Sequence, residues 1–168
     1  MPLPDAEVLL AALTEQMRPA VSSDTLLVGI HTGGVWLAQR LHESLGLSQP
    51  LGTIDVSFYR DDYSSRGLHP RVKPSEIPFE IADADVVLVD DVLFTGRTIR
   101  AALNELFDYG RPRRVRLAAL VDRGGRELPM AAQFVGAEVS VREDEQIELR
   151  KAADGRLNLV VTPSPGAG

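Results

Sequence analysis

A chain of 168 residues, 44% hydrophobic and 25% charged, has the make-up of one globular domain, which excludes collagen, coiled coil and wholesale disorder. Cysteine is absent, so disulfide frameworks, Cys-ligated zinc, iron–sulfur clusters and thiol nucleophiles fall together. The net charge of −6, from 24 acids and 18 bases, argues against a surface that grips nucleic acid as a whole and leaves room for a local basic patch.

The three histidines, His31, His42 and His69, are too few for a histidine-rich metal cage. The N-terminal MPLPDAEVLLAAL lacks a basic stretch and its apolar run breaks at Thr14, Glu15 and Gln16, so it does not read as a signal peptide. No run of apolar residues is long enough for a bilayer. No membrane is expected, and the reading is a cytoplasmic protein.

In chain order, Asp5 to about Val21 carries Leu9, Leu13 and Met17 at four-residue spacing with Asp5 as N-cap, the stripe of an amphipathic helix, limited by Pro19. Thr25 to Ile30 is a short continuous apolar run, as in a strand buried on both faces. The loop His31-Thr-Gly-Gly34 leads into a second helix with Leu37, Leu41 and Leu45 on one face and Gly46 as C-cap. Thr53 to Tyr59 alternates as a half-buried strand, Ile54, Val56 and Phe58 against Thr53, Asp55 and Ser57.

Residues 60–78 are rich in charge, Ser, Gly and Pro without periodicity, the mark of a lid or a disordered connection. Val86 to Val89 is a buried strand ending in Asp90-Asp91. The loop Val92 to Thr98 follows, then a helix with Ile99, Leu103, Leu106 and Phe107 on one face that closes at Gly110. Val115 to Val121 is the next strand. Alternating strands and helices predict an α/β domain with a mostly parallel central sheet flanked by helices. Short apolar stretches at Phe134-Val135, Val139–Val141, Ile147–Leu149 and Leu157–Val161 read as further strands, and 162–168 as a loose tail. With no repeat or linker, residues 1–168 read as one domain with a mobile flap.

The chemistry is concentrated in VVLVDDVLFTGRT, Val86 to Thr98. Ligands of parallel α/β sheets bind beyond the carboxyl ends of the strands, where this segment places two acids and a turn opening into a helix. Backbone N–H groups and the positive end of the helix dipole there suit a phosphate. Gly96 permits close approach, and Thr95 and Thr98 add hydroxyls. Asp90 and Asp91 suit neutral hydroxyls or hydrated magnesium. Phosphate at one end and a diol at the other describe a ribose 5-phosphate. Paired acids after an apolar strand also occur in nucleotide hydrolases and receiver domains, but a P-loop needs a Gly-Lys pair that this chain lacks.

The four apolar residues, two acids and T-G-x-T turn resemble the 5-phosphoribosyl 1-diphosphate (PRPP) site of the type I phosphoribosyltransferases. GIHTGG, DVSFYRDD, VLVDDVLFTGRT and LVDRGGRELP stand in the order and near the spacing of the PyrR proteins, which join uracil phosphoribosyltransferase activity to regulation of pyrimidine genes. The similarity spans about residues 5–161. It implies a type I phosphoribosyltransferase-like fold with a flap or hood. PRPP would be held by Asp90, Asp91, Val92, Leu93, Phe94, Thr95, Gly96, Arg97 and Thr98, and pyrophosphate by His31, Thr32, Gly33 and Gly34. Uracil would lie against Val121, Asp122 and Arg123.

Asp90, Asp91 and, from the flap, Arg60 are the expected catalytic groups, with Arg71 and Lys73 as lesser flap candidates. Mg2+ is expected on the diphosphate, reached through water by Asp90 and Asp91 and without a direct protein ligand. The implied partners are uracil, PRPP, UMP, further copies of the chain in a dimer or higher oligomer, and a pyrimidine mRNA leader.

Several positions depart from the resemblance. Gly33 stands where many PyrR proteins carry Arg, and His31 where some carry Lys, so a fixed positive charge is missing. The first helix has Leu10, Ala11 and Glu15, with Arg18 as its only base, and Gly125 stands where His is usual. Arg126 and Glu127 read as a surface ion pair. The basic run Arg111 to Arg116 is either a solvated connector or an RNA contact. A nucleotide-sensing RNA-binding regulator without catalysis, and a phosphoribosyltransferase for another base, remain the alternatives.

Overall fold

The computed structural model describes residues 2–56 and 75–165. The expected flap residues Arg60, Arg71 and Lys73 lie outside them.

The first helix, α1 (Ala6–Met17), starts where the Asp5 carboxylate accepts the Glu7 N–H, a side-chain N-cap. It ends as a single 3-10 turn, Arg18–Ala20, imposed by Pro19. Leu9, Leu13 and Met17 are buried. Strand β1 (Leu26–Ile30) leads to α2 (Gly33–Leu45), whose C-cap Gly46 sits at φ 62° and donates to the His42 and Glu43 carbonyls. A left-handed cap of this kind is what glycine favours. There follow β2 (Gly52–Ile54), β3 (Asp85–Leu93), α3 (Arg97–Phe107), β4 (Arg114–Asp122), β5 (Phe134–Glu138), β6 (Glu145–Lys151) and β7 (Leu157–Pro163).

The main sheet has the order β2-β1-β3-β4-β5, every pairing parallel, and β6 and β7 form a separate antiparallel hairpin. Side chains alternate across the sheet. Leu27, Val87, Val89, Ala118 and Leu120 face α1 and α2, while Leu26, Val28, Val86, Leu88 and Ala119 face α3. Both faces are covered, as the continuous apolar runs require. At fully buried Leu37, Leu41 or Leu120, truncation to Ala would cost about 2–5 kcal/mol.

Four expectations are corrected. The alternating strand from Thr53 ends at Ile54, because its neighbour β1 ends opposite at Ile30; Ser57–Tyr59 lie outside the described residues. Val139–Val141 is not a strand, since β4 stops at Asp122, whose carbonyl accepts the Val139 N–H. Phe107 is 53% exposed: the core face of α3 runs through Ile99, Ala102 and Leu106, and Phe107 is rotated off it into a surface groove beside Leu103 and Pro112. The tail is ordered further than expected, because β7 includes Thr162 and Pro163 and the Ser164 N–H donates to the Asp144 carbonyl.

The basic run is also resolved. Arg114 and Arg116 both pair with Asp85, whose other donor is the Thr25 hydroxyl. Burial opposes ionisation of Asp85, but these partners hold its carboxyl below the ordinary range. Two of the run's arginines therefore serve the sheet's lower edge. Among the described residues no helix is long and apolar enough to cross a membrane.

Glu7 joins three elements. Its carboxylate accepts from Arg40 of α2 and from the Leu157 N–H that begins β7. The Arg40 hydrogen bond, with that of Leu157, holds its carboxyl below the ordinary Glu range. A depressed folded-state pKa stabilises the fold above the ordinary Glu range, and that share is lost as pH falls through the lowered value. Glu7→Gln is expected to cost about 0.5–1 kcal/mol for this partly exposed pair. In thermal melts between about pH 6 and pH 3 its stability should fall less steeply than the wild type's; parallel slopes would refute the assignment.

Candidate functional site

From β1 the chain passes through α2 to β2 on one side, and from β3 through α3 to β4 on the other. The strand order therefore reverses between β1 and β3, and the segments leaving their carboxyl ends flank one crevice, where α/β sheets bind ligands.

The segment after β1 is shorter than expected. Only His31 and Thr32 lie between strand and helix, joined by a cis peptide bond, and Gly33 and Gly34 already belong to the first turn of α2. Thr32 makes no side-chain cap bond. The glycines are required by proximity. A Cβ on Gly34 would stand 2.3 Å from the Val89 carbonyl oxygen, and one on Gly33 would stand 2.3 Å from Asp91 Oδ2. Gly33 thus packs directly on the Asp91 carboxylate.

Strand β3 continues through Asp90, Asp91, Val92 and Leu93, so the expected loop contracts to Phe94–Gly96. The strand's alternation turns Asp91 to the α2 face and Asp90 to the α3 face. Asp90 is 2% exposed and its Oδ1 accepts the Asp91 N–H, while Asp91 Oδ1 accepts the Val92 N–H. Asp91 lines the open cleft. The side chain of Leu93, 1% exposed, belongs to the core, so a place at the phosphate would fall to its backbone.

Gly96, at φ 96°, caps α3, a backbone state that strains other residues. Thr95 is buried and its Oγ1 accepts the Arg97 N–H, so this hydroxyl shapes the turn, whereas Thr98 faces the cleft. Arg97 pairs with Glu127 on the surface. The mouth of the turn presents the N-terminus of α3, with the amides of its first turn and its positive dipole end.

At the end of β4, the Val121 side chain is fully buried, so a place against the base would fall to its main chain. Burial opposes ionisation of Asp122, but hydrogen bonds from Arg126 and the Gly124 N–H outweigh it and hold the carboxyl below its ordinary range. Arg123 stacks on the Phe94 ring, 3.8 Å from its centroid, and donates to the Glu145 carbonyl. The expected Arg126–Glu127 pair is not formed: Arg126 turns inward to Asp122 and Glu127 outward to Arg97.

Asp91, Val92, Phe94, Thr98 and Arg123 line one wall of a cleft of about 400 Å³. The opposite wall consists of Gln146, Ile147 and Glu148 of β6 with Ser164 and Pro165. None of these five was singled out by sequence. The hairpin's alternation announces a strand but not which surface it covers. A larger groove of about 660 Å³, beside Phe107 and Arg113, lies at the opposite edge of the sheet and holds none of these groups.

A family model described as the phosphoribosyl transferase domain matches residues 4–146. A protein of Pseudomonas fluorescens named bifunctional protein PyrR is 50% identical over 163 residues, 95% of this chain and 97% of that protein. One of the same name from Nitrosococcus oceani is 51% identical over 84% of this chain and 81% of its own. Among solved structures, a purine phosphoribosyltransferase from Pyrococcus horikoshii superposes with TM-score 0.62 at 27% identity, covering 80% of this chain and 82% of that one. A hypoxanthine phosphoribosyltransferase from Trypanosoma cruzi does so with TM-score 0.64 at 20% identity, covering 82% and 80%.

The two glycines of α2 should separate by substitution. In Gly34→Ala the methyl meets backbone, which cannot step aside, and a stability loss of about 2 kcal/mol or more is expected. In Gly33→Ala it meets the movable end of Asp91, so the melting temperature should hold while PRPP affinity falls. Thermal melts and PRPP titrations of both variants check this, and equal behaviour would contradict the contacts described.

Proposed function

The chain belongs to the phosphoribosyl transferase family and, within it, to the PyrR proteins, and from that premise we propose that it transfers ribose 5-phosphate from PRPP to uracil, giving UMP and diphosphate. The observation that carries this reading is the crevice between β1 and β3. There Gly33 touches the Asp91 carboxylate, and the Phe94–Gly96 turn opens α3 alongside.

In this reading the 5-phosphate takes the N-terminus of α3 at Gly96–Thr98. The carboxylates of Asp90 and Asp91 accept from the ribose hydroxyls and offset positive charge growing on the ring. Asp91 is the more open of the two. The diphosphate lies toward His31–Gly34, and Arg60, outside the described residues, is the side chain proposed to grip it. Uracil enters between Arg123 on Phe94 and the β6 wall. Catalysis comes from holding uracil N1 in line with ribose C1 and from neutralising the departing charge.

Mg2+ bound on the diphosphate supplies part of that neutralisation. The hard carboxylate oxygens of Asp90 and Asp91 suit holding it through water. Among the described residues no group of three or more His, Asp or Glu is placed to ligate a metal unaided.

Regulation of pyrimidine genes through a UMP-dependent contact with an mRNA leader is the second activity of this reading, in a cytoplasmic protein of two or more copies. Arg114 and Arg116, engaged with Asp85, are poor candidates for that contact.

Incubation with PRPP, magnesium and labelled uracil should form UMP at about 1 s⁻¹ or faster. Asp91→Asn and Asp90→Asn should each lower kcat/KM about a hundredfold without change in the circular dichroism spectrum. Binding of PRPP and UMP without turnover would favour a nucleotide sensor. Turnover with another base in place of uracil would reassign the acceptor.

A further inference from the structure

The segment 122–130 lies behind the phosphate turn rather than in front of it. The Leu93 carbonyl accepts the Arg123 N–H at 3.0 Å, and the Thr95 carbonyl accepts those of Glu127 and Leu128 at 2.9 and 3.1 Å. Between them, the Phe94 carbonyl accepts Arg126 Nη1 at 2.8 Å. Consecutive carbonyls of the turn are thus all drawn to one side. In a trans peptide the C=O and the following N–H point in opposite directions, so the amides of Phe94, Thr95 and Gly96 are turned the other way. Backbone amides aligned in this manner form an anion-binding concavity.

Arg126 is the side chain in this set of backbone contacts. Its other donors span the gap to the base side: Nη2 reaches Asp122 Oδ2 at 2.5 Å and Nε reaches the Met130 carbonyl at 2.8 Å. A planar fork can satisfy three acceptors in fixed directions, which an ammonium cannot. Its side chain is 25% exposed and that of Asp122 is 17% exposed, so the Asp122 and Met130 contacts are partly shielded from solvent while the bond to the Phe94 carbonyl lies at the surface. The fit is close on every side. A Cβ on Gly96 would stand 2.9 Å from Met130 Cγ, and one on Gly125, at φ 78°, would stand 2.6 Å from Phe94 Cε1.

We propose that Arg126 is a positioning residue: by fastening the Phe94 carbonyl to Asp122 and Met130 it sets the turn's amides for the 5-phosphate, without touching substrate. The proposal rests on the PRPP reading above.

Its test is calorimetric titration of PRPP with magnesium into the wild type, Arg126→Gln and Arg126→Lys, alongside steady-state kinetics and thermal melts. Arg18→Gln, which breaks an exposed pair with Glu15 far from the cleft, serves as control. Both Arg126 variants are expected to weaken PRPP about tenfold or more, with the PRPP KM rising in parallel and the uracil KM within about threefold. Lys is expected not to rescue.

Wild-type PRPP affinity in folded variants would overturn the proposal. So would full rescue by Lys, which would make charge the determinant, or equal losses for PRPP and uracil accompanied by a collapsed melting transition, which would make the role merely structural. A wild type that binds PRPP and forms no UMP counts against the transferase reading alone.

Discussion

The close approach of the first turn of α2 to the end of β3 is the contact on which the site depends. Gly34 lies against the Val89 carbonyl, which leaves no room for a side chain there, and Gly33 against the movable Asp91 carboxylate. With the helix seated this deep, the segment leaving β1 meets the acids leaving β3. The same parallel pairing that brings Val28 beside Leu88 and Gly29 beside Val89 carries both strands to a common edge. Position at that edge follows from register, and register follows from burial of both sheet faces, since a slip by one residue would exchange the two cores.

Two kinds of support hold the crevice open in one geometry. On the β1 side it is steric: glycine, helix and strand in direct contact. On the β3–β4 side it is polar, with the turn's carbonyls bound from behind and Arg126 joining the turn to Asp122 and Met130. The contrast has an energetic sense. A packed helix resists displacement through many small contacts, whereas a turn with few buried side chains needs directional hydrogen bonds to hold one conformation. Phe94 takes part twice on that second side, its carbonyl on Arg126 and its ring under Arg123.

The β6–β7 hairpin is not hydrogen-bonded into the main sheet; its Ile147, Leu149 and Leu157 pack into the core on the α1–α2 face, and polar contacts tie it to those helices. Arg40 and Leu157 converge on Glu7, Arg156 pairs with Asp5, and Lys151 sits over the Trp36 ring. Desolvation pushes the Arg123 guanidinium below its ordinary value, in keeping with a cation enclosed between Phe94 and the hairpin strand at Glu145. The cleft is therefore a joint product of the sheet's carboxyl edge and a hairpin from the far end of the chain.

Local pattern determined much by itself. Apolar runs at Leu26–Ile30 and Val86–Val89, the stripe Leu9-Leu13-Met17 and the caps Asp5 and Gly46 specify elements through interactions spanning a few residues, so they are legible without the fold. The acids and T-G-R-T turn were legible for the same reason, since a helix N-terminus after a buried strand is a local anion site. What only the tertiary structure decided is everything set by a neighbour distant in sequence. Strand β2 stops at Ile54 because β1 stops at Ile30. The side chains of Val121 and Leu93 belong to the core because facing elements cover them. Gln146, Ile147 and Glu148 line the cleft because the hairpin folds back over it, and Arg126 faces inward because Phe94 and Asp122 stand on adjacent strand ends. Periodicity states which residues share a face; it carries no term for what that face will meet.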